Sequence, residues 1–332
     1  MNLPTSKFSY AKLKKAELWV GLVVILFLGG MALAVSLAGW QESWESLSRI
    51  SWQTLVLAAL VCLLSYGCGA WRWEFLSHRM GITHIPTRRM WLLFGAGLAL
   101  LPTPGKAGTA MRCWLMHKQF DVPYKQSMPV MIISTLHELF SALFLICLLW
   151  AYLDGNGLVI GGLLLFGIGI FMLLQPAFSL RFMALLDQLT GGRTHRVTDY
   201  ARHLLQNTHK LLHWRAFIPS FISACMAWFL AALGVWLITR GIGLDVSYML
   251  ALAAFVFAMV VGMLSFLPGG IGTTEAIMAG TLLASTATTP AEATVVVLLV
   301  RLASLWVPVL FGFMLWPLAF KGLFKKAAVV DE

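Results

Sequence analysis

The sequence predicts an all-α polytopic membrane protein with six spanning helices and two re-entrant hairpins, arranged as an inverted-topology repeat. Three observations lead to this prediction. Hydrophobic residues make up 59% of the 332 residues and charged residues only 11%, whereas soluble domains are about 25% charged. Apolar runs long enough to cross a bilayer recur along the chain. Two further apolar runs are each interrupted by prolines and glycines.

Six apolar runs are close to, or longer than, the roughly 20 residues that a membrane-spanning helix needs. They are Leu18–Gly39, Thr54–Trp71, Met128–Leu153, Leu158–Phe178, Ala216–Thr239 and Ala291–Phe320. The first run follows four lysines and is longer than the apolar core of a secretory signal, which spans roughly 7–15 residues. It is therefore interpreted as an uncleaved anchor, with cleavage after the Ala-Leu-Ala at 32–34 as the alternative.

Two connections between these runs carry a prediction of their own. The segment 40–53 is expected to be a short, mildly acidic loop. The segment 179–215 is expected to be cytoplasmic and amphipathic, because its apolar residues between Val197 and Leu212 fall on one helical face.

Two apolar stretches are predicted to form re-entrant hairpins, at 90–117 and 248–286. Proline removes a backbone donor and glycine permits a positive φ, so the breaks at 101–108 and 266–272 should reverse the chain. We call these breaks the first and second elbows. Their turn residues are Pro102, Pro104, Gly105 and Gly108, and Pro268, Gly269, Gly270 and Gly272. The alternative is that the two arms of each hairpin are full spans. Both interpretations assign each loop to the same side of the membrane, so the distribution of charge does not distinguish them.

The distribution of charge sets the predicted orientation. Lysine and arginine exceed aspartate and glutamate by ten, and basic residues concentrate in cytoplasmic loops. With both termini in the cytoplasm, the basic loops at 72–89, 117–125 and 179–215 all fall inside. The basic excess is thus explained by topology, and no soluble basic domain is present to bind nucleic acid.

The two halves of the chain are predicted to be inverted copies within a single transmembrane domain, 1–332. Residues 1–153 and 158–320 each read as two spans, a hairpin and a span, and they begin on opposite sides. Leu101-Pro102 corresponds to Leu267-Pro268, and Gly108-Thr109 to Gly272-Thr273. Paired segments interrupted by Gly and Pro in inverted repeats are pointers to a transporter binding site.

Five ionisable residues within the apolar segments are the candidate substrate-binding residues, because charges inside a membrane are costly and often functional. They are Lys106, Arg112, Glu138, Glu275 and Arg301. One interpretation is a water-filled cavity in which the cations bind an anionic headgroup. The alternative is a buried Glu138–Arg301 ion pair that only locks the halves together. The sequence contains no P-loop, G-x-S-x-G or H-E-x-x-H motif, and we predict no catalytic residues, metal or cofactor.

The run from Leu101 to Gly108, the midspan Glu138, the segment Pro268–Glu275 and Arg301 resemble the lysylphosphatidylglycerol synthase transmembrane-region family. The resemblance extends over roughly residues 15–322 and implies a flippase-like membrane domain without the soluble aminoacyl-transferring domain. The chain departs from the family's usual pattern at Thr109, Leu139 and Ala142, where Glu, Arg and Asp are frequent. These departures indicate a different substrate.

The predicted function is transport of an amphipathic, anionic lipid or lipid-linked molecule between leaflets of a bacterial inner membrane. Two alternatives remain open: a non-catalytic membrane partner of a separate enzyme, and an intramembrane lipid-linked transferase. The predicted partners are membrane lipids, and a second copy of the chain or a partner enzyme is left open.

Overall fold

The computed structural model describes residues 21, 25, 27–103, 107–154, 161, 167 and 211–330. Every regular element in this part of the chain is helical. The α-helices are α1 Phe27–Ala38, α2 Trp40–Arg49, α3 Trp52–Arg79, α4 Thr87–Gly97, α5 Ala107–Phe120, α6 Tyr124–Asp154, α7 Trp214–Ile242, α8 Tyr248–Leu264, α9 Thr273–Ser285, α10 Pro290–Arg301 and α11 Val307–Val330. Short 3₁₀ helices lie at Leu98–Leu100 and Pro268–Gly270, and a π-helical turn at Leu302–Trp306 joins α10 to α11.

Among the described residues, four helical stretches are long and apolar enough to cross a membrane: Trp52–Arg79, Tyr124–Leu149, Trp214–Ile242 and Pro290–Lys321. They contain four of the six predicted spans, and the prediction of an all-α polytopic membrane protein is confirmed. The predicted first span is described only in part. The predicted span 158–178 and most of the predicted amphipathic segment 179–215 lie outside the described residues.

Helices α3 and α7 form the most extensive helix–helix contact of the described fold. Small residues make this close packing possible, as is usual between helices in membranes. A Cβ atom added at Gly234 of α7 would lie 2.7 Å from Sγ of Cys62 and 3.2 Å from the carbonyl oxygen of Ala58, both on α3. The centre of the molecule is thus a tight helix pair with one member from each predicted repeat.

The connections between helices collect at two ends of the molecule. At one end, Nη1 of Arg49 lies 3.0 Å from Oε1 of Glu292, so the last residue of α2 contacts the first turn of α10. At the other end, Arg79 donates to the carbonyl of Arg215 (3.4 Å) and Gln119 donates to the carbonyl of Ala319 (2.5 Å). Loops predicted to share a side of the membrane therefore share an end of the structure.

The first hairpin consists of α4 and α5 and begins and ends at one end of the molecule. Nε2 of His84, just before α4, lies 3.1 Å from the carbonyl oxygen of Phe120, the last residue of α5. A Cβ atom at Gly108 would overlap with the carbonyl of Gly97, so the arms cross where both residues lack a side chain. The arms are about 22 Å and 21 Å long at the usual helical rise, against a hydrocarbon core of about 30 Å.

The second hairpin consists of α8 and α9, and its elbow depends on left-handed backbone. The φ angles are +60° at Gly269, +66° at Gly270 and +88° at Gly272, values that glycine adopts without a Cβ penalty. Phe266 also has a positive φ, +55°, and is 88% exposed. A Cβ atom at Gly262 of α8 would overlap with Oγ1 of Thr274 on α9, so these arms also cross at a glycine.

The prediction of a loop at 40–53 was wrong, because residues Trp40–Arg49 form helix α2. Trp40 and Trp44 are four residues apart and therefore lie on one helical face, where both are exposed. Ser43 and Ser46 are buried on the opposite face. Tryptophan is enriched at membrane–water interfaces, and this arrangement is typical of a helix lying along such an interface. The acidic residues of this segment favoured a loop, whereas the four-residue spacing of its tryptophans indicates a helix.

Candidate functional site

The first charged group joins α3 to α6. Nη2 of Arg72 lies 2.5 Å from Oε1 of Glu138, and Nε of Arg72 donates to Oγ of Ser134 at 3.3 Å. The remaining nitrogen, Nη1, is buried and has no hydrogen-bond partner within the described part of the chain. The Arg72 side chain is 2% exposed, whereas that of Glu138 is 36% exposed. The carboxylate thus forms the accessible side of the pair.

Arg112 on α5 belongs to the same charged group. Its guanidinium carbon lies 3.7 Å from the ring centroid of Phe94 and 5.6 Å from that of Trp73, and the residue is buried. Its charge lies close enough to those of Glu138 and Arg72 for attraction to the first and repulsion from the second. We call Arg72, Arg112 and Glu138 the first cluster.

The second charged group holds the second elbow together. Nε of Arg301 lies 2.6 Å from Oε1 of Glu275, and both side chains are buried. Nη2 of Arg301 donates to the carbonyl of Gly269 at 2.5 Å, and Oε2 of Glu275 accepts from the backbone N–H of Gly272 at 2.6 Å. We call Glu275 and Arg301 the second cluster. Because it bonds backbone on both sides of the reversal, this cluster stabilises the elbow.

The two elbows are in contact with each other. A Cβ atom at Gly269 of the second elbow would lie 3.4 Å from Cα of Pro102 in the first. Helix α11 packs against the chain that leads into the first elbow: a Cβ atom at Gly312 would overlap with the backbone of Ala99, and Nε1 of Trp316 donates to the carbonyl of Ala96 at 2.9 Å. Turns predicted from separate halves of the sequence are therefore in direct contact.

Tyr66 on α3 contacts the chain next to the second cluster. Its hydroxyl donates to the carbonyl of Ser304 at 2.9 Å, within the π-helical turn that follows Arg301. π-helical turns are frequent at functional sites, and here the turn that follows Arg301 is bonded to α3 through this tyrosine.

The structure places four of the five predicted substrate-binding residues in these clusters: Arg112 and Glu138 in the first, Glu275 and Arg301 in the second. Lys106, with the turn residues Pro104 and Gly105, lies outside the described residues. The alternative of a Glu138–Arg301 ion pair was wrong, because Glu138 pairs with Arg72 and Arg301 with Glu275. Within the described ranges, no group of three or more His, Cys, Asp or Glu side chains is placed to hold a metal ion.

The sequence model of the family described as "Lysylphosphatidylglycerol synthase TM region" matches residues 18–312 of this chain. The chain belongs to this family. The match includes both hairpins and both charged clusters.

Two relatives of this lysylphosphatidylglycerol synthase TM-region protein come from Methanothermobacter thermautotrophicus, strain Delta H. One UPF0104 membrane protein is 20% identical over 285 residues, which is 77% of this chain and 83% of that protein. Another match to a UPF0104 membrane protein is 29% identical over 85 residues, 26% of this chain and 25% of that protein. Both names describe membrane proteins, in agreement with the family.

Arg72 belongs to the first cluster but is not among the five predicted substrate-binding residues. The predicted span ended at Trp71, which placed Arg72 in a cytoplasmic loop. The structure shows that α3 continues to Arg79. Two signals in the sequence indicate a longer helix. Trp73 and Leu76 continue the apolar face, and the first glycine or proline after Trp71 is Gly81.

Proposed function

We propose that this protein is a flippase-like transporter, which moves an amphipathic, anionic lipid or lipid-linked molecule between the leaflets of a bacterial inner membrane. The observation that carries the proposal is the contact between the two elbows, next to two charged clusters whose arginines are buried. Membership of a membrane family named after a lipid synthase supports a lipid-related role.

In this proposal the hairpins are re-entrant, and they enter the bilayer from opposite sides because the halves are inverted. Each arm is shorter than the hydrocarbon core, and the arms of the first hairpin return to one end. Non-helical backbone at membrane depth is tolerated where protein or a wet cavity surrounds it. The contact between the elbows supplies such surroundings. Both termini are then cytoplasmic, as the basic loops favour.

The proposed path separates the two parts of an amphipathic substrate. The headgroup passes the charged clusters, where arginine provides positive charge at depth. The hydrocarbon chain stays in contact with apolar side chains near the second elbow. Leu264, Phe266 and Leu267 are exposed there, and they offer a surface that suits an acyl or polyprenyl chain.

Leaflet exchange in reconstituted vesicles tests the proposal. We expect purified protein to accelerate the exchange of a fluorescent anionic phospholipid by about tenfold or more over protein-free vesicles. The variant Arg112→Gln should abolish the acceleration, since it removes a buried positive charge from the path.

The matched control is Arg88→Gln, which removes the same charge from an exposed position at the start of α4. This variant should exchange lipid at the wild-type rate. Equal rates in the wild type and in Arg112→Gln, or no acceleration by the wild type, would contradict the proposal.

A further inference from the structure

We propose that Arg72 and Arg112 form a binding site for the oxygen atoms of a phosphate group, and that Glu138 is the counter-ion which the phosphate displaces. The inference rests on the proposed function for the source of the phosphate, a lipid headgroup. The chemistry recognised is that of a phosphate monoester or diester, which inorganic phosphate shares.

Unused hydrogen-bond donors are the first support for this site. Nη1 of Arg72 and Nε of Arg112 are both buried, and neither has a hydrogen-bond partner in the described ranges. Buried polar groups are nearly always hydrogen-bonded, so each exception needs an explanation. Each of the two guanidinium groups thus has one nitrogen without a partner, and charge-assisted hydrogen bonds from arginine to phosphate oxygens are strong.

A comparison of the two clusters gives the second support. In the second cluster, one arginine and one glutamate balance in charge, and both also bond to the backbone of the elbow. In the first cluster, two arginines share one glutamate, which leaves an excess positive charge among these three residues. The Glu138 side chain is 36% exposed, whereas that of Glu275 is 9% exposed. The carboxylate of Glu138 is therefore the more accessible of the two to an entering anion.

The placement of Arg112 is the third support, because the surrounding residues fix the position of its guanidinium group. The group packs against the ring of Phe94 and lies beside Trp73. A Cβ atom at Gly97 would overlap with Nε of Arg112, so the side chain occupies space that only glycine leaves free. A guanidinium group held in this way loses little freedom on binding an anion.

The sign of one mutational effect separates this proposal from a purely structural ion pair. The measurement is binding of short-chain phosphatidic acid to the purified, detergent-solubilised full chain by isothermal titration. Glu138→Gln removes the competing carboxylate, and we expect it to bind about tenfold more tightly than the wild type. Arg112→Gln should bind at least about tenfold more weakly, as the loss of one charge-assisted hydrogen bond predicts.

Two further variants guard against misfolding and unspecific charge effects. Arg72→Gln alone leaves Glu138 without its arginine partner, so the double variant Arg72→Gln/Glu138→Gln removes both charges together and should fold, and we expect it to bind about tenfold more weakly than Glu138→Gln. Arg88→Gln, at an exposed position, should bind like the wild type. Unchanged or weaker binding by Glu138→Gln would overturn the proposal, and so would a double variant that binds as tightly as Glu138→Gln.

Inorganic phosphate, titrated alone and in competition, distinguishes the source of the anion. Competition between phosphate and phosphatidic acid would support one shared site. If phosphate binds and phosphatidic acid does not, the phosphate site stands and the lipid-transport proposal fails. If neither ligand binds while labelled lipid still exchanges between leaflets, the phosphate site is overturned and the transport proposal stands.

Discussion

Arg301 links three parts of the second hairpin region: the elbow, the first turn of α9 and the end of α10. Its guanidinium bonds the carbonyl of Gly269 and the carboxylate of Glu275, which in turn accepts from the N–H of Gly272. These bonds neutralise a charge that is costly in the interior and hold a reversed backbone in place. The pair is therefore a structural element as well as a candidate binding element.

Removing one partner of this pair should strongly destabilise the protein. Breaking a buried ion pair by losing one member costs about 3–5 kcal/mol, because the other charge is left uncompensated. We expect Glu275→Gln to lower the free energy of unfolding, measured by titration with a denaturing detergent, by an amount of this order. Arg240→Gln is the control, since it breaks an exposed pair with Asp245, for which about 0–1 kcal/mol is typical. Equal losses in both variants would contradict the structural role.

At the level of residues, the sequence predicted which charges matter better than it predicted their partners. Glu138 and Arg301 stand out because each interrupts a long apolar run. Their partners depend on which helices pack together, and no spacing along the chain encodes that packing. Arg72 was missed for a related reason: a buried arginine at the end of an apolar run looks like the first residue of a basic loop.

Among the helices, the crossings of the hairpin arms depend on small residues. The arms of the first hairpin cross at Gly97 and Gly108, and those of the second cross where Gly262 faces Thr274. Each glycine lies where the backbone or a side chain of the opposite arm leaves no space for a Cβ atom. Small residues allow helices to approach in this way within membranes.

Gly108→Ala should destabilise the first hairpin, since the added Cβ would overlap with the carbonyl of Gly97 and force the arms apart. Overpacking of this kind costs typically about 1–3 kcal/mol. Gly280→Ala is a matched control on the returning arm of the other hairpin, where a Cβ atom would meet no atom within 4 Å. That variant should keep or raise stability, because alanine favours helix by about 1 kcal/mol over glycine. Thermal midpoints in detergent measure both, and a neutral Gly108→Ala would refute the tight crossing.

The elements were predictable where the sequence carries a strong local signal. The elbows were found because proline and glycine interrupt apolar runs, and four spans were found by their length. Helix α2 was not found, since Trp40–Arg49 is short and polar on average. Its helical character shows only in the four-residue spacing of Trp40 and Trp44. The predicted ends of spans were too early where the helix continues with polar residues, as α3 does after Trp71.

On the scale of the whole molecule, the two ends of the structure can be assigned to the two sides of the membrane. In a background with Cys68 and Cys225 replaced by alanine, we expect Arg88→Cys and Lys118→Cys to react with a membrane-impermeant thiol reagent from the cytoplasmic side. Asp245→Cys and Ala287→Cys should react only from the opposite side. All four positions are exposed, so accessibility to the reagent depends on the side alone.

The labelling also tests the hairpins. Residues 88 and 118 lie at the outer ends of α4 and α5, and residues 245 and 287 flank α8 and α9. Reaction of 88 and 118 from different sides would mean that the first hairpin does not return to its own side, and the same holds for 245 and 287. Either result would contradict the inverted arrangement. The native Cys62, Cys113 and Cys147 are buried and serve as unreactive internal references.

The contact between Gly269 and Pro102 has a mechanical consequence. The contact is made by the backbone of a glycine and by a proline, whose ring is rigid. Neither residue has side-chain rotamers that could separate the two elbows by a small amount. A passage at this point therefore requires a whole hairpin to shift as a solid piece, carrying its short arms and its arginine contacts with it. In the proposed transport, this contact would therefore open in discrete steps rather than by small continuous rearrangements.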